Sequence, residues 1–256
     1  MKKNRKSSDA VFSTSKGFTL IEMLVVLGIS GILLTLTVGA VHNVRESAQR
    51  TKCASNLRNM ITAATAYAEE NNGRFPWASR RIKGYKSWCW DFVIPSGGKP
   101  QPGVMWGGHG LNSVLQCPSF IDGRANWEED PFTGYNYNCS FIGKVEGDPA
   151  VRQIPASLAQ IENPARTAVF GDGHFGDGAN KFMRAPKAVR DTDFSYKYVR
   201  ESGTQGFRHG GKANIAFADG HVEALAQPYQ YGGAQGFVTP GCGFISEDNS
   251  LYSLKK

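Results

Sequence analysis

The stretch FTLIEMLVVLGISGILLTLTVGAV, residues 18–41, decides how this chain is built. It is apolar along its length and contains one charged side chain, the carboxylate of Glu22. An α-helix of this length is about 36 Å long, which is enough to cross a bilayer core of roughly 30 Å. The stretch therefore predicts a transmembrane helix.

Positive charge is concentrated just before this helix. The chain has a formal net charge of +7, and residues 1–17 carry five Lys or Arg side chains against a single Asp, so the rest of the chain carries only +3. Basic residues beside a transmembrane helix mark its cytoplasmic end. We therefore expect the N-terminus in the cytoplasm and the chain beyond His42 outside it. A remainder this weakly basic does not favour nucleic-acid binding.

A cleaved secretory signal is the main alternative for this helix. Val38, Gly39 and Ala40 resemble the small residues that precede a signal-peptidase cut. The apolar run, however, exceeds the roughly 7–15 residues of a signal core. A carboxylate within a membrane helix is also unfavourable unless it has a partner or a function. Glu22 therefore favours a helix that stays on the mature protein.

The residues at the start of the helix resemble a known processing signal. Residues 16–26, KGFTLIEMLVV, are similar to the signal of type IV prepilins and type II secretion pseudopilins. The resemblance implies that a prepilin peptidase cuts between Gly17 and Phe18 and that the new N-terminal Phe18 is methylated. It also implies that the Glu22 carboxylate acts in assembly. In a packed bundle, this carboxylate can neutralise the Phe18 amine of the next subunit.

The same resemblance implies where the protein works and with which partners. The subunit is expected in the inner membrane as a single-pass protein with a periplasmic C-terminal domain, from where it can be extracted into a filament. Expected partners are the prepilin peptidase, other pilin-like subunits and, indirectly, an inner-membrane platform protein and an assembly ATPase. The residues do not decide between a type II secretion system and a pilus.

Beyond the membrane segment the sequence becomes amphipathic. Apolar residues recur at helical spacing over residues 57–68, and Asn71-Asn72-Gly73 is typical of a helix end with glycine in the C-cap position. The prediction has four parts: a cleaved leader over 1–17, a transmembrane assembly helix over 18–42, its amphipathic continuation over 43–72, and an extracytoplasmic globular domain over 73–256.

Short β-type runs separated by Gly, Pro and Asn follow the helix. The clearest pair is residues 212–218 and 221–226, joined by Asp219-Gly220, which predicts a two-residue hairpin turn with Phe217 opposite Val222. The predicted fold class is therefore α+β and pilin-like, with a long N-terminal helix packed on an antiparallel sheet in a loop-rich C-terminal domain.

A second resemblance covers more of the chain. The stretch from His209 to Gly220 has a histidine, nine residues and then Asp219-Gly220. It resembles the H-x9-DG element of a large group of prepilin-processed proteins. The runs CASNLR from Cys53, CPS from Cys117 and YNYN from Tyr135 resemble the same group. The resemblance implies the class of machine to which the protein belongs. It does not identify a ligand.

Metal binding is a further hypothesis for the outer domain. The loop GDGHFGDG offers Asp172, His174 and Asp177, and Asp219 lies in the hairpin turn. The resemblance to pseudopilins implies calcium binding in C-terminal loops. These residues are therefore candidate Ca²⁺ ligands. The alternative is that the Asp and Gly residues only form turns. We expect His209 to be a hydrogen-bonded structural residue that holds the loop to the hairpin.

The five cysteines suggest disulfides more than a metal site. None forms a C-x-x-C pair, which disfavours a structural zinc site. One or two disulfides are expected if the domain is exported, and the sequence leaves their pairing open.

Three functions remain after these observations. The first is a structural pilin-like subunit. The second is a membrane-anchored binding module for a polysaccharide or another exported ligand, which a cleft lined by Trp77, Trp88, Trp90 and Trp106 would favour. The third is a tethered metal-dependent enzyme, although no nucleophile–base pattern points to catalysis. The basic cluster over residues 80–86 is expected to be a solvated face and not a nucleic-acid site.

Overall fold

The computed structural model describes residues 17–107, 111, 114–120, 131, 133–146, 154–174, 181–187, 203–230, 238 and 240–255. The chain divides into two compact units, residues 1–45 and residues 46–256. Of the predicted features, the leader over residues 1–16 and the candidate ligand Asp177 lie outside the described residues.

One α-helix, α1 (Leu20–Glu70), accounts for most of the described residues of the first unit and begins the second. It ends as the Asn-Asn-Gly sequence predicts. Asn72 and Gly73 take positive φ angles of 54° and 76°, and the Gly73 amide donates a hydrogen bond to the Ala68 carbonyl at 2.7 Å. This left-handed turn satisfies a carbonyl of the last helical turn, so the helix stops there.

In the first unit, the apolar side chains of α1 are uncovered. The segment Leu20–Thr37 has a mean hydropathy of 2.2 and is long and apolar enough to cross a membrane, judged by length and composition. None of its residues is buried inside the protein, and Leu20 is 80% exposed. An uncovered apolar surface of this size requires lipid or neighbouring helices.

In the second unit, α1 buries one face. The predicted apolar positions Leu57, Met60, Ile61, Ala64 and Ala68 are all fully buried, while Tyr67 is half-buried. Cys53, one turn before Leu57, and Asn56, one turn before Met60, are buried on the same side. Because this face repeats every three to four residues, it packs continuously against the outer domain.

Eleven strands and three 3-10 helices follow α1 within the described residues. The strands are β1 (Ser79–Arg80), β2 (Tyr85–Cys89), β3 (Phe92–Pro95), β4 (Gln101–Pro102), β5 (Asn136–Asn138), β6 (Ala168–Gly171), β7 (Phe182–Met183), β8 (Gln205–Gly206), β9 (Ala213–Phe217), β10 (Val222–Leu225) and β11 (Cys242–Gly243). The 3-10 helices are Val104–Trp106, Leu158–Gln160 and Pro164–Arg166.

The strands form three sheets. Their orders are β1-β2-β3-β4, β10-β9-β6-β5-β7 and β11-β8. All pairs are antiparallel except β5 and β7, which are parallel, so the central sheet is mixed. The predicted α+β class is confirmed, because a long helix packs with predominantly antiparallel sheets.

The five-stranded sheet separates two hydrophobic cores. On the helix side, Trp90 packs against Phe170 with ring centroids 5.4 Å apart, and Phe170 stacks on Tyr137 at 4.8 Å. A second cluster contains Phe217, together with residues near the C-terminus that include Phe244 and Tyr252. Strand β9 is buried at all five positions because alternate side chains enter different cores.

The β9–β10 hairpin exists, but its predicted register is wrong by one residue. Val222 pairs with Ala216, and the Phe217 amide donates to the His221 carbonyl at 3.0 Å. The loop therefore has three residues, 218–220, and of these only Gly220 takes a positive φ, +94°. Asp219 Oδ1 accepts a bond from the His221 amide at 3.1 Å, which stabilises a longer turn followed by a glycine bulge.

Replacing Gly220 with alanine should destabilise the protein by about 1–3 kcal/mol, because a side chain is strained at this φ. Gly107→Ala is the matched control: Gly107 has φ −120° and nothing lies within 4 Å of an added Cβ. We expect the control to stay within about 0.5 kcal/mol of wild type. Denaturant unfolding of the full chain in detergent measures both changes. Equal stability of the two variants would contradict the strained turn.

Candidate functional site

A capping box starts α1 within the residues of the processing signal. The Thr19 hydroxyl accepts a hydrogen bond from the Glu22 amide at 3.2 Å. In return, Glu22 Oε2 accepts bonds from the Thr19 amide at 2.7 Å and from the Thr19 hydroxyl at 2.9 Å. These reciprocal bonds satisfy two amides that a helix start leaves without partners.

Only one of the two carboxylate oxygens of Glu22 takes part in this cap. Among the described residues, Oε1 accepts no hydrogen bond, and the side chain is exposed. Phe18, the residue before the cap, is 76% exposed. At the start of the helix, the backbone amides of Thr19 and Glu22 therefore have partners within the chain. Glu22 Oε1 and the side chain of Phe18 are left exposed.

A second constellation lies in the interior of the outer domain. Cys53 comes from α1, Cys117 from the loop at 114–120, Asp172 follows β6, and His209 lies in the turn before β9. One potential ligand atom from each of the four side chains lies within 4.8 Å of the others. All four residues are at most 1% exposed. We call these four residues the buried cluster.

His209 is at the centre of the buried cluster. Its Nε2 lies 3.3 Å from Asp172 Oδ2 and 3.6 Å from Cys117 Sγ. Its other ring nitrogen, Nδ1, lies 3.4 Å from the Ser119 hydroxyl. The imidazole therefore has polar neighbours at both nitrogens, and within the described residues its ring makes no hydrogen bond to the Asp219-Gly220 turn.

Asp172 is held on one side only. Its Oδ2 accepts hydrogen bonds from the backbone amide of Asn214 at 2.7 Å and from the Asn214 side chain at 3.0 Å. Its Oδ1 is buried and accepts no hydrogen bond from the described residues, although Arg208 Nη2 lies 3.5 Å away. A buried carboxylate oxygen without a hydrogen bond is unusual and requires an explanation.

Arg208 borders the buried cluster. Its Nε lies 3.5 Å from Cys117 Sγ, its Nη1 donates to the Gly173 carbonyl at 3.1 Å, and its Nη2 donates to the Gly134 carbonyl. The guanidinium therefore joins three segments and provides a positive charge beside two acidic groups.

The cluster shifts the acidities of its members. The pKa of the Cys117 thiol is lowered to about 5, mainly by a hydrogen bond from Cys53 and, against the effect of burial, also by His209 and the charge of Arg208. The pKa of Cys53 is raised by the same hydrogen bond and by burial. Burial lowers the pKa of His209, but bonds to Asp172 and Cys117 outweigh it and raise the pKa to about 9. Cys117 is therefore the more acidic thiol of the two.

The three predicted calcium ligands that the structure describes, Asp172, His174 and Asp219, do not form one group of metal-ligating side chains. Asp172 lies in the buried cluster, whereas Asp219 is at the hairpin turn with its Oδ1 2.6 Å from His221 Nδ1. The His174 ring packs edge-on against Phe120, with ring centroids 6.5 Å apart. Asp177 lies outside the described residues. Calcium binding stays a prediction, although Asp172 now has two sulfur neighbours, which Ca²⁺ does not favour.

Cys53 and Cys117 belong to the buried cluster, but their sequence pattern does not predict a metal site. Neither is part of a C-x-x-C pair, and 63 positions separate them in the chain. A signal was nevertheless present, because CASNLR, CPS and H-x9-DG each contribute one member of the cluster. The Asn56 side chain donates to the Tyr135 hydroxyl at 3.0 Å, so the YNYN run borders it too.

The tryptophan cleft that would favour a binding module does not form. Trp90 is fully buried and Trp106 is 5% exposed, and both belong to the core on the helix side. A groove of about 550 Å³ lies instead beside Trp88. It is lined by Arg80, Arg81, Lys83, Lys86 and Tyr85, among others.

Comparison with known proteins supports the processing signal. The prokaryotic N-terminal methylation motif matches residues 12–38. The chain is similar to the competence protein ComGC of Bacillus subtilis, 39% identical over 84 residues, which are 32% of this chain and 83% of that protein.

Two further relatives match shorter parts. The ComG operon protein 3 homolog of Bacillus licheniformis is 45% identical over 62 residues, 24% of this chain and 63% of that protein. The type II secretion system core protein G of Pectobacterium carotovorum is 35% identical over 68 residues, 27% of this chain and 43% of that protein. No solved structure matches the chain.

Arg208→Gln should destabilise the protein by about 3–5 kcal/mol, because it removes the guanidinium that lies beside the buried Asp172 carboxylate and the Cys117 sulfur. Arg58→Gln is the matched control, since Arg58 is exposed on α1 and should change stability by less than about 0.5 kcal/mol. Denaturant unfolding of both full-length variants in detergent measures the difference. A stable Arg208→Gln protein would show that the guanidinium does not support the cluster.

Proposed function

We propose a function that starts from family membership: the chain belongs to the pilin-like proteins that carry a prokaryotic N-terminal methylation motif, and it acts as a structural subunit of a membrane-anchored, pilin-like assembly. One observation carries this proposal. The helix segment Leu20–Thr37 leaves its apolar side chains uncovered, and its single carboxylate is at its start. A helix of this kind is suited to pack against copies of itself once it leaves the lipid.

Processing creates the partner for that carboxylate. In the proposed step, a prepilin peptidase hydrolyses the bond between Gly17 and Phe18, which leaves a free α-amine on Phe18 that is then methylated. The exposed side chain of Phe18 and the absence of a side chain at Gly17 suit access by a protease. The amine lies four residues before Glu22, about one helical turn along the axis. A neighbouring subunit that is displaced by about this distance in a parallel bundle therefore brings its amine to the carboxylate.

Charge pairing between neighbours would set the stagger of the subunits. Glu22 Oε2 is engaged with Thr19 of its own chain, and Oε1 is directed to no partner among the described residues. The methylated amine of a neighbouring subunit can bind Oε1 without breaking the cap. Because an unpaired charge in a membrane is unfavourable, subunits that are out of register would be rejected.

The proposal extends to location and partners. The N-terminus is cytoplasmic, the helix spans the inner membrane once, and the unit beginning at residue 46 is periplasmic. The subunit meets the prepilin peptidase, other pilin-like subunits and, indirectly, a platform protein and an assembly ATPase. It has no enzymatic role. Its relatives carry both competence and type II secretion in their names, and the proposal covers either kind of assembly.

A binding module on the same anchor is the second candidate function. The groove beside Trp88, with its basic and aromatic lining, is the observation that favours it. Such a lining suits an anionic polymer, because cations bind its charges and aromatic rings stack on its sugars or bases. This role is compatible with assembly, since a subunit at the tip of a filament can also bind a ligand.

The native membrane protein should begin at an N-methylated Phe18. Intact-mass and N-terminal mass spectrometry of protein purified from membranes measures this. Gly17→Leu should leave the precursor uncut, because a side chain obstructs the protease cleft. Ala40→Leu should be processed normally, although it would block an ordinary signal peptidase. A mature N-terminus at Val41 would contradict the proposal.

Glu22→Gln separates helix capping from charge pairing, because glutamine can still accept the bonds of a capping box. The variant should insert and be processed, but crosslinks between subunits through a photoreactive residue at Leu24 should be lost. Thr19→Ala is the matched control: it removes the cap and keeps the charge, so crosslinks should persist. Normal crosslinking of Glu22→Gln would reject the pairing.

A further inference from the structure

We propose that the buried cluster of Cys53, Cys117, Asp172 and His209 is a structural Zn²⁺ site that fastens α1 to the outer domain. The four side chains come from four segments that are distant in sequence, and all four ligand atoms converge within 4.8 Å. Two sulfurs, one imidazole nitrogen and one carboxylate oxygen are all established ligands of tetrahedral zinc. This proposal is independent of the proposed function.

The distances in the cluster agree with a shared central ion. Ligands at zinc bond lengths in a tetrahedral site lie about 3.4 Å apart for a nitrogen–oxygen pair and about 3.6 Å apart for a nitrogen–sulfur pair. His209 Nε2 lies 3.3 Å from Asp172 Oδ2 and 3.6 Å from Cys117 Sγ. The nitrogen–oxygen distance is long for a charged hydrogen bond, for which about 2.7–2.9 Å is usual.

Charge balance also agrees with a divalent cation. Two thiolates and one carboxylate are three negative charges, and burial of such a group is strongly unfavourable without compensation. Zn²⁺ and the adjacent guanidinium of Arg208 neutralise all three. Asp172 Oδ1 accepts no hydrogen bond from the described residues. With the ion bound, it would either coordinate the ion or form a shorter contact with the Arg208 guanidinium.

Each ligand is oriented by a second residue, as in established metal sites. Ser119 lies 3.4 Å from Nδ1 of His209, which leaves Nε2 for the ion. Asn214 holds the Asp172 carboxylate through two hydrogen bonds. Arg208 contacts the sulfur of Cys117, and the Tyr135 hydroxyl lies beside Cys53. With four protein ligands, no coordination position remains for a substrate, so the site is structural.

A disulfide between Cys53 and Cys117 is the competing arrangement, since both sulfurs lie within the same 4.8 Å. It would give His209 and Asp172 no role beyond hydrogen bonding and would leave Asp172 Oδ1 as it is. The two arrangements exclude each other, because a disulfide sulfur is no longer a thiolate ligand. Calcium is disfavoured by the two sulfurs.

The test uses the full-length protein, purified without a histidine tag in detergent from cells grown with zinc. Metal content is measured by plasma mass spectrometry, and thiol state by alkylation of the denatured protein. We expect about one Zn²⁺ per chain and free thiols at Cys53 and Cys117 once the metal is removed. A Cys53–Cys117 disulfide overturns the proposal, and so do free thiols without zinc.

Two variants at one position separate a ligand from a structural hydrogen bond. His209→Cys keeps a zinc ligand and should retain the metal, whereas His209→Asn keeps hydrogen bonding and should lose it. Cys89→Ser is the matched control, because Cys89 is buried outside the cluster and should not change the zinc content. Equal zinc in wild type and His209→Asn would mean an adventitious ion only and would overturn the proposal.

Cobalt substitution gives a readout that does not depend on variants. Wild-type protein loaded with Co²⁺ should show the intense visible absorption of a tetrahedral ion and thiolate-to-metal charge transfer. A chelator should lower the melting temperature of wild type and leave that of His209→Asn unchanged, because only the bound ion stabilises the native state. An octahedral spectrum or a chelator-resistant wild type would contradict the site.

Discussion

The burial of one face of α1, from Cys53 to Ala68, is the interaction on which the outer domain depends. This face supplies Leu57, Met60 and Ile61 to the core that also holds Trp90 and Phe170. Full burial of each large apolar side chain contributes about 1.5–3 kcal/mol, so this face contributes several kcal/mol to the stability of the domain. It also determines where Cys53 lies, since the cysteine is on the same side of the helix, one turn before Leu57.

The helix could be predicted from sequence because two patterns, a long apolar run and a 3.6-residue repeat, extend over many residues. The sheets were harder. Strands β1, β4, β7, β8 and β11 have two residues each, too few for an alternation to be recognised. The β9–β10 register was missed because Asp219-Gly220 is a signature of a two-residue turn, while here a side-chain bond from Asp219 favours three residues. Burial of β9 on both faces removed the alternation that would have corrected the register.

The candidate site shows the limit of reasoning from spacing. Asp172 was a candidate ligand because of its neighbours in sequence, but its neighbours in space are Cys117 and His209, on segments that only the tertiary fold brings together. The signals at the helix start were different. Thr19 and Glu22 are three residues apart on one helix turn, so their contact follows from local geometry and could be predicted without a fold.

The capping box at Thr19 has a consequence for the order of events in maturation. Residues 17–19 are not helical, and the helix begins at Leu20. Proteases bind their substrates in extended form, so a helix that extended backwards through Gly17 would have to unwind before it could be cut. Because the cap starts the helix at Leu20, the backbone between Gly17 and Phe18, the proposed site of cleavage, stays outside the helix. Under the proposed function, the same carboxylate would act at two times. It would first limit the helix and leave the peptide bond exposed, and it would later contact the amine that the cut releases on a neighbouring subunit.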